Sequence, residues 1–327
     1  MKPSEQLRRF SQAATQAANN EASMRDNPTE TFQTIRDFLR HAVSRFNEGN
    51  LVYGHGTANA YDEAAYLVLE GLNLPIDQLE PFLDARLLGP ERERLAGLIE
   101  ARVTTRKPLP YLLNKAYMHG VPFYVDERVI IPRSYIGELL GRTDFAGGVG
   151  ALIAEPESIE TVLDLCTGSG CLAVLAAMRF DNAIVDATDL SQDALDVAAI
   201  NVSRHALEDR ITLHKGNLYS ALNGRRYDLI LANPPYVAEA EVQAFAAEYA
   251  AEPRMAHVSG EDGFDLVRQI VAQAPDHLTE TGILICEFGT GRELLEAEYP
   301  DLPFQFLDTE ESTGEVFALS AEDFARA

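Results

Sequence analysis

The sequence predicts an α/β fold: a mostly parallel, doubly wound sheet, preceded by an α-helical domain and joined to it by a β-hairpin. Three observations predict it. From Ser158 onward, short apolar runs alternate with helical patterns, as parallel strands linked by crossover helices do. A glycine-rich turn, Thr167-Gly168-Ser169-Gly170, separates the first of those strands from its helix. A later run, Tyr227 to Ala232, stops at Asn233-Pro234-Pro235-Tyr236. Two successive prolines have no backbone N–H to donate, so they cannot continue a sheet ladder.

The bulk numbers suit two domains, placed at 1–112 and 113–327: 327 residues, 46% hydrophobic and 24% charged. A formal net charge of −24 repels phosphate backbones. No direct nucleic-acid contact is expected from such a surface, and a basic protein partner suits it. The cysteines Cys166, Cys171 and Cys286 form neither a metal pattern nor an even disulfide set, which fits a reducing, cytoplasmic setting. The start lacks an apolar signal region, and no run of about 18 apolar residues suggests a membrane span.

In chain order, residues 1 to about 28 read as a loose helix or mobile segment. Phe32, Ile35, Phe38, Leu39, Ala42, Val43 and Phe46 then recur at helical spacing, and Gly49-Asn50 ends that helix. The loop Tyr53-Gly54-His55-Gly56-Thr57 follows; His55 reads as structural, since no acid or nucleophile pattern accompanies it. Asp62 and Glu63 open a helix to Gly71, acids at a helix start suiting the macrodipole, and Pro90 opens another to about Thr105. Val121 to Val125 and Arg128 to Ile131, separated by Asp126-Glu127, predict the connecting hairpin. A helix through Ile136, Leu139 and Leu140 and a flexible loop, Gly147-Gly148-Val149-Gly150, lead into the βα pattern. Its strands are 161–166, 183–188, 211–214, 227–232 and 282–288. Its helices are 171–179, one capped by Ser191, 239–251, 263–274 and 292–298. A terminal hairpin over 304–307 and 316–319 completes the chain.

Glycines in the turn after the first strand let a ligand approach the backbone at a helix N-terminus, and Asp189, ending the next strand, can accept from ribose hydroxyls. That pair alone suits either a nicotinamide dinucleotide or S-adenosylmethionine. Asn233 to Tyr236 favours the second. Hydride transfer has no use for such a group, whereas methyl transfer to a planar, weakly basic nitrogen does. The Asn233 side-chain oxygen and the Pro234 carbonyl can accept the two N–H bonds of an amide and stabilise charge developing on its nitrogen, and the Tyr236 ring can pack on a flat group.

Asp164 to Gly170, Asp189 and Asn233 to Tyr236 together resemble the class I S-adenosylmethionine-dependent methyltransferases, with their Rossmann-like doubly wound sheet. Tyr53 to Thr57, Phe123 to Arg128, Ile131 to Ser134 and Asp164 to Cys171 narrow the resemblance to the protein-glutamine methyltransferases. Within these they resemble the branch that modifies the large-subunit ribosomal protein L-three. The sister branch, acting on peptide chain release factors, usually carries Pro-Arg-Pro-Glu-Thr-Glu where this chain has Pro132 to Gly137, and glycine at Cys166. The resemblance implies S-adenosyl-L-methionine as cofactor and a basic ribosomal protein as partner. It implies that Thr167, Gly168, Ser169 and Gly170 hold the methionine part and that Asp189 binds ribose. Asn217 and Leu218 would flank adenine, with Asp164, Cys166 and Asn233 completing the cofactor set. Asn233, Pro234, Pro235 and Tyr236 would bind the target glutamine. Glu252-Pro253-Arg254 and Gly260 to Gly263 read as a loop shaping the site.

Overall fold

A computed structural model describes residues 28–141, 153, 155–310 and 312–327. The N-terminal stretch and the Gly147-Gly148-Val149-Gly150 loop of the sequence reading lie outside the described residues. The described chain forms two compact units. One comprises the residues up to Tyr53 with Thr57–Arg106, the other Gly54–Gly56 with Lys107–Ala327.

The first unit is helical. After a short turn, α1 (Pro28–Thr31), comes α2 (Ile35–Glu48). It opens with a capping box in which the Thr34 hydroxyl accepts from the Asp37 N–H and the Asp37 carboxylate accepts from the Thr34 N–H. Ile35, Phe38, Leu39, Ala42 and Phe46 form its buried face, and Gly49 ends it. Helix α3 (Ala60–Gly71) begins two residues earlier than the acids suggested, because the Asn59 side chain caps the N–H groups of Tyr61 and Asp62. Glu63 is no surface dipole partner. It is 2% exposed and its carboxylate lies 2.6 Å from Nε of Arg102, on α4 (Gly89–Thr105), whose guanidinium is fully buried.

The second unit starts with α5 (Leu109–Leu113) and a hairpin of β1 (Ala116–Met118) and β2 (Val121–Phe123). The hairpin therefore lies one strand upstream of its predicted place. Arg128 to Ile131 is not a strand. Asp126 turns the chain by accepting from the Arg128 N–H at 3.0 Å and pairing with its guanidinium, and the Ile131 N–H goes to the Glu252 side chain at 3.0 Å. A run of β-branched residues mimicked a strand, but the N–H groups of Arg128, Val129 and Ile131 are spent elsewhere.

Then come α6 (Tyr135–Gly141) and β3 (Thr161–Leu165), α7 (Cys171–Arg179), β4 (Ile184–Asp189), α8 (Gln192–Arg204), β5 (Ile211–Lys215) and β6 (Tyr227–Ala232). Where the sequence pattern predicts a helix over 239–251, only α9 (Glu239–Val242) is helical; extended Ala246 breaks the run before a 3-10 turn at Ala247–Ala251. The chain closes with α10 (Asp265–His277), β7 (Leu278–Glu287), α11 (Arg292–Glu298), β8 (Gln305–Asp308), β9 (Thr313–Ser320) and α12 (Ala321–Arg326). The sequence reading did not include α12, which a Ser320–Asp323 capping box starts.

The seven-stranded sheet runs β5-β4-β3-β6-β7-β9-β8, parallel as far as β7, with β9 antiparallel to β7 and β8. Its two faces are both buried and alternate residue by residue. Leu229, Leu231, Ile283 and Ile285 pack with α6 and α7; Ile230, Ala232, Leu284 and Cys286 pack with α10 and α11. The order reverses between β3 and β6, the crevice where open α/β sheets bind ligands. Register sets what lies there. Thr188, Leu165, Ala232 and Cys286 pair across four neighbouring strands. The next residue along each, Asp189, Cys166, Asn233 and Glu287, therefore forms a row at the carboxyl edge.

Candidate active site

The glycine-rich loop between β3 and α7 is built on left-handed backbone at Cys166 (φ 58°), Gly168 (φ 55°) and Gly170 (φ 79°). A side chain on Gly170 would put its Cβ 3.1 Å from that of Ala198 on α8, so the loop sits flat on its neighbour. Asp164 anchors it from below. This carboxylate is 1% exposed and accepts from the Thr167 hydroxyl at 2.5 Å and the Ala173 N–H at 3.0 Å. Burial pushes its carboxyl up to about 7 against those two hydrogen bonds. Asn201, which the sequence reading passed over, donates to the Ser169 carbonyl at 2.9 Å and exchanges hydrogen bonds with the Tyr124 backbone.

A first cavity opens above this loop. Cys166, Gly168, Asp189, Asn217, Leu218 and Asn233 all line it. Asp164, Thr167, Ser169 and Gly170 do not; all four are buried, and they shape the loop rather than face the cavity. Asp189 accepts from the Gly168 N–H at 2.9 Å and the Ser191 N–H at 2.8 Å. Burial raises its pKa, opposed by these N–H donors. With the Leu190 N–H as a third donor, the carboxylate still keeps lone-pair capacity for a ligand hydroxyl.

A second cavity adjoins the first. Asn233 and Pro235 wall both; Pro234, Tyr236, Arg133 and Tyr249 line only the second. The Asn233 Nδ2 donates to the Arg133 carbonyl at 3.2 Å. A carbonyl can only accept, so the amide is fixed with Oδ1 as its remaining acceptor. The Tyr236 hydroxyl donates to Glu287 Oε1 at 3.0 Å, while Glu287 Oε2 accepts from the Ser134 hydroxyl at 2.7 Å and the Tyr135 N–H at 3.0 Å. The Tyr236 carbonyl is packed against Gly263 so closely that a Cβ there would sit 2.4 Å from its oxygen, at a φ of +85°. The Gly260 to Gly263 segment thus supports the motif through backbone. The charged residues of this segment and of Glu252-Pro253-Arg254 differ: Asp262 pairs on the surface with Arg268, whereas Glu252 is 5% exposed and faces inward.

Glu287 occupies the same row as Asp189 and Asn233, and that row position is the signal by which sequence could have found it. Burial pushes its carboxyl up to about 7, against hydrogen bonds from Ser134, Tyr236 and Tyr135. The folded value lies above the ordinary 4.5, so the native state holds an extra proton between the two and stability falls as pH rises through that window. Glu287→Gln removes this slope. In urea unfolding the variant should gain on wild type between about pH 5 and about pH 8; a pH-independent difference would refute the assignment.

Among the described residues no helix is long and apolar enough to cross a membrane, and no group of three or more acidic, histidine or cysteine side chains could hold a metal. The Methyltransferase small domain family matches residues 146–252. The chain is similar over most of its length to proteins named ribosomal protein uL3 glutamine methyltransferase. That of Bradyrhizobium diazoefficiens is 55% identical over 89% of this chain and 91% of its own. That of Bordetella pertussis is 50% identical over 91% and 99%, and that of Neisseria meningitidis serogroup B 50% over 88% and 93%.

Proposed function

The chain belongs to the ribosomal protein uL3 glutamine methyltransferases, and from that premise we propose that it methylates the side-chain amide nitrogen of a glutamine in uL3, with S-adenosyl-L-methionine as donor. The single observation that carries the reading is the position of Asn233 and Pro235, in the wall common to the two adjoining cavities. A methyl donor on one side and an amide on the other would meet there.

The first cavity suits S-adenosylmethionine. Asp189 offers acceptors to ribose hydroxyls, Leu218 and Asn217 offer an apolar and a polar contact to adenine, and a Cβ on Gly168 would meet nothing within 4 Å, so that backbone faces open space. When bound, the cofactor supplies an electrophilic methyl group. This chain's residues do the rest. Asn233 Oδ1 and the Pro234 carbonyl accept the two N–H bonds of the target amide and hold its nitrogen facing the first cavity. As that nitrogen gains positive charge, the same two acceptors stabilise it without reorganising, because Arg133 and the prolines fix them beforehand. The nitrogen becomes acidic once alkylated, so no strong base is required of the protein. Tyr236, tethered to Glu287, keeps its ring against the amide plane.

The charge of −24 suits a basic ribosomal protein as the partner, speeding encounter. The helical unit and the hairpin would present that substrate. The test is to incubate the protein with methyl-labelled cofactor and purified uL3, a release factor or DNA. Label should enter a uL3 glutamine; label in the release factor or DNA instead would overturn the assignment.

A further inference from the structure

Glu252 carries charge into the interior at the edge of the second cavity. Its side chain is fully shielded from solvent. Oε1 accepts from the Ile131 N–H at 3.0 Å and from Arg133 Nη1 at 2.8 Å; Oε2 accepts from Arg133 Nη2 at 2.6 Å. Nε2 of His257 lies 3.1 Å from the same Oε2, and Nε2 of His55 3.8 Å. One carboxylate thus joins three segments far apart in sequence: its own, with His257, the stretch from Ile131 to Arg133, and the loop at His55. Burial alone would raise its pKa, but the two imidazoles and the guanidinium outweigh it and hold the carboxyl well below the usual carboxylate range. It is ionised throughout the working pH range.

The network ends on the reacting site. Arg133, which Glu252 grips with two parallel hydrogen bonds, presents the backbone carbonyl that takes the Asn233 Nδ2. Its guanidinium also lies over the Tyr249 ring, 5.6 Å from the centroid, and Tyr249 lines the second cavity with Arg133 and His257. The Tyr249 ring rests against His55 at 4.4 Å between centroids, with its hydroxyl where a Cβ on Gly54 would be, 2.5 Å away. Gly54-His55-Gly56 therefore closes the network from outside, and the acid that His55 lacked in sequence is Glu252.

We propose that Glu252 is a positioning residue for methyl transfer: by clamping the Arg133 guanidinium and the Ile131 backbone, it holds the Arg133 carbonyl where it fixes the Asn233 amide with Oδ1 free to accept from the target. The proposal rests on the methyltransferase reading above. A glutamine at 252 keeps one acceptor oxygen but turns an N–H₂ toward donors, so the bidentate grip fails while volume is kept. Asn233→Asp supplies the control, since a carboxylate cannot donate to the Arg133 carbonyl and so cuts the link from the other end.

The experiment measures kcat, substrate KM and S-adenosylhomocysteine affinity for Glu252→Gln, Asn233→Asp and the double variant. Glu252→Gln should lower kcat about 30-fold or more, with KM and cofactor-product affinity within about threefold. In the Asn233→Asp background the same change should cost less than about threefold, because coupled sites are non-additive. A loss confined to KM, or an equal loss in both backgrounds, would overturn the proposal. If Glu252→Gln does not fold, Arg133→Lys, which keeps the charge and loses the fork, is judged by the same criteria. Full turnover by Asn233→Asp together with Asn233→Ala would instead defeat the methyltransferase reading of the site.

Discussion

Asn233→Ala is expected to lower kcat by about 10³-fold, roughly 4 kcal/mol of transition-state stabilisation. The size follows from what one side chain does. Oδ1 is an acceptor aimed at a nitrogen that becomes cationic only in the transition state, so its loss is felt there and little in the ground state. The same change leaves the Arg133 carbonyl without its 3.2 Å donor, loosening the segment that positions the remaining acceptor. Affinity for S-adenosylhomocysteine should change by less than about fivefold. Asp189, Leu218 and the Gly168 backbone remain, and Asn233 is one wall residue among many. Isothermal titration and single-turnover label transfer check the two halves separately. A kcat within about tenfold of wild type in a folded, cofactor-binding variant would remove the amide-acceptor mechanism.

What made Asn233 legible in sequence also marks where legibility ended. A strand stopped by two prolines has few alternatives, and β6 ends at Ala232 as the sequence predicts. Helix α7 matches its predicted bounds because glycine precedes it and its positions are apolar on every side. Parallel register then carries Asp189, Cys166 and Asn233 to one edge, so local patterns became a site. The misreadings are of another kind. The Ile131 N–H looked available for a ladder, but its acceptor is Glu252, 121 residues on. The 239–251 stretch is rich in helix formers, yet its rings turn inward, Phe245 edge-on to His257 and Tyr249 against His55. Glu287 stood in sequence at the end of a predicted strand, as Asp189 does, whereas Glu252 carries meaning only through burial and partners, and those depend on the folded chain rather than on neighbours in sequence.

Glu63 shows the same limit with the largest effect on stability. Glu63→Ala is expected to destabilise the helical unit by about 3–5 kcal/mol. An acid in the first turn of α3 reads as a dipole partner worth a few tenths of a kcal/mol. In place it is the charge that balances Arg102, both side chains almost wholly buried and 2.6 Å apart. Removing the carboxylate takes from a buried guanidinium its 2.6 Å ion-pair partner. Its hydrogen bonds to the carbonyls of Val52 and Arg106 persist, but they do not neutralise it. The Thr57 hydroxyl also loses its 3.1 Å partner. Hydrogen exchange should show protection falling in α3 and α4 well before it falls in β3 and β6, because the two compact units need not melt together. Asp84→Ala, which breaks the exposed pair with Arg36, is the control and should leave protection unchanged. Replacing both Glu63 and Arg102 by apolar residues of similar volume should recover much of the loss, since the cost lies in keeping a buried charge after its ion-pair partner is gone. If Glu63→Ala unfolds no more readily than Asp84→Ala, the buried pair is not what holds α3 to α4.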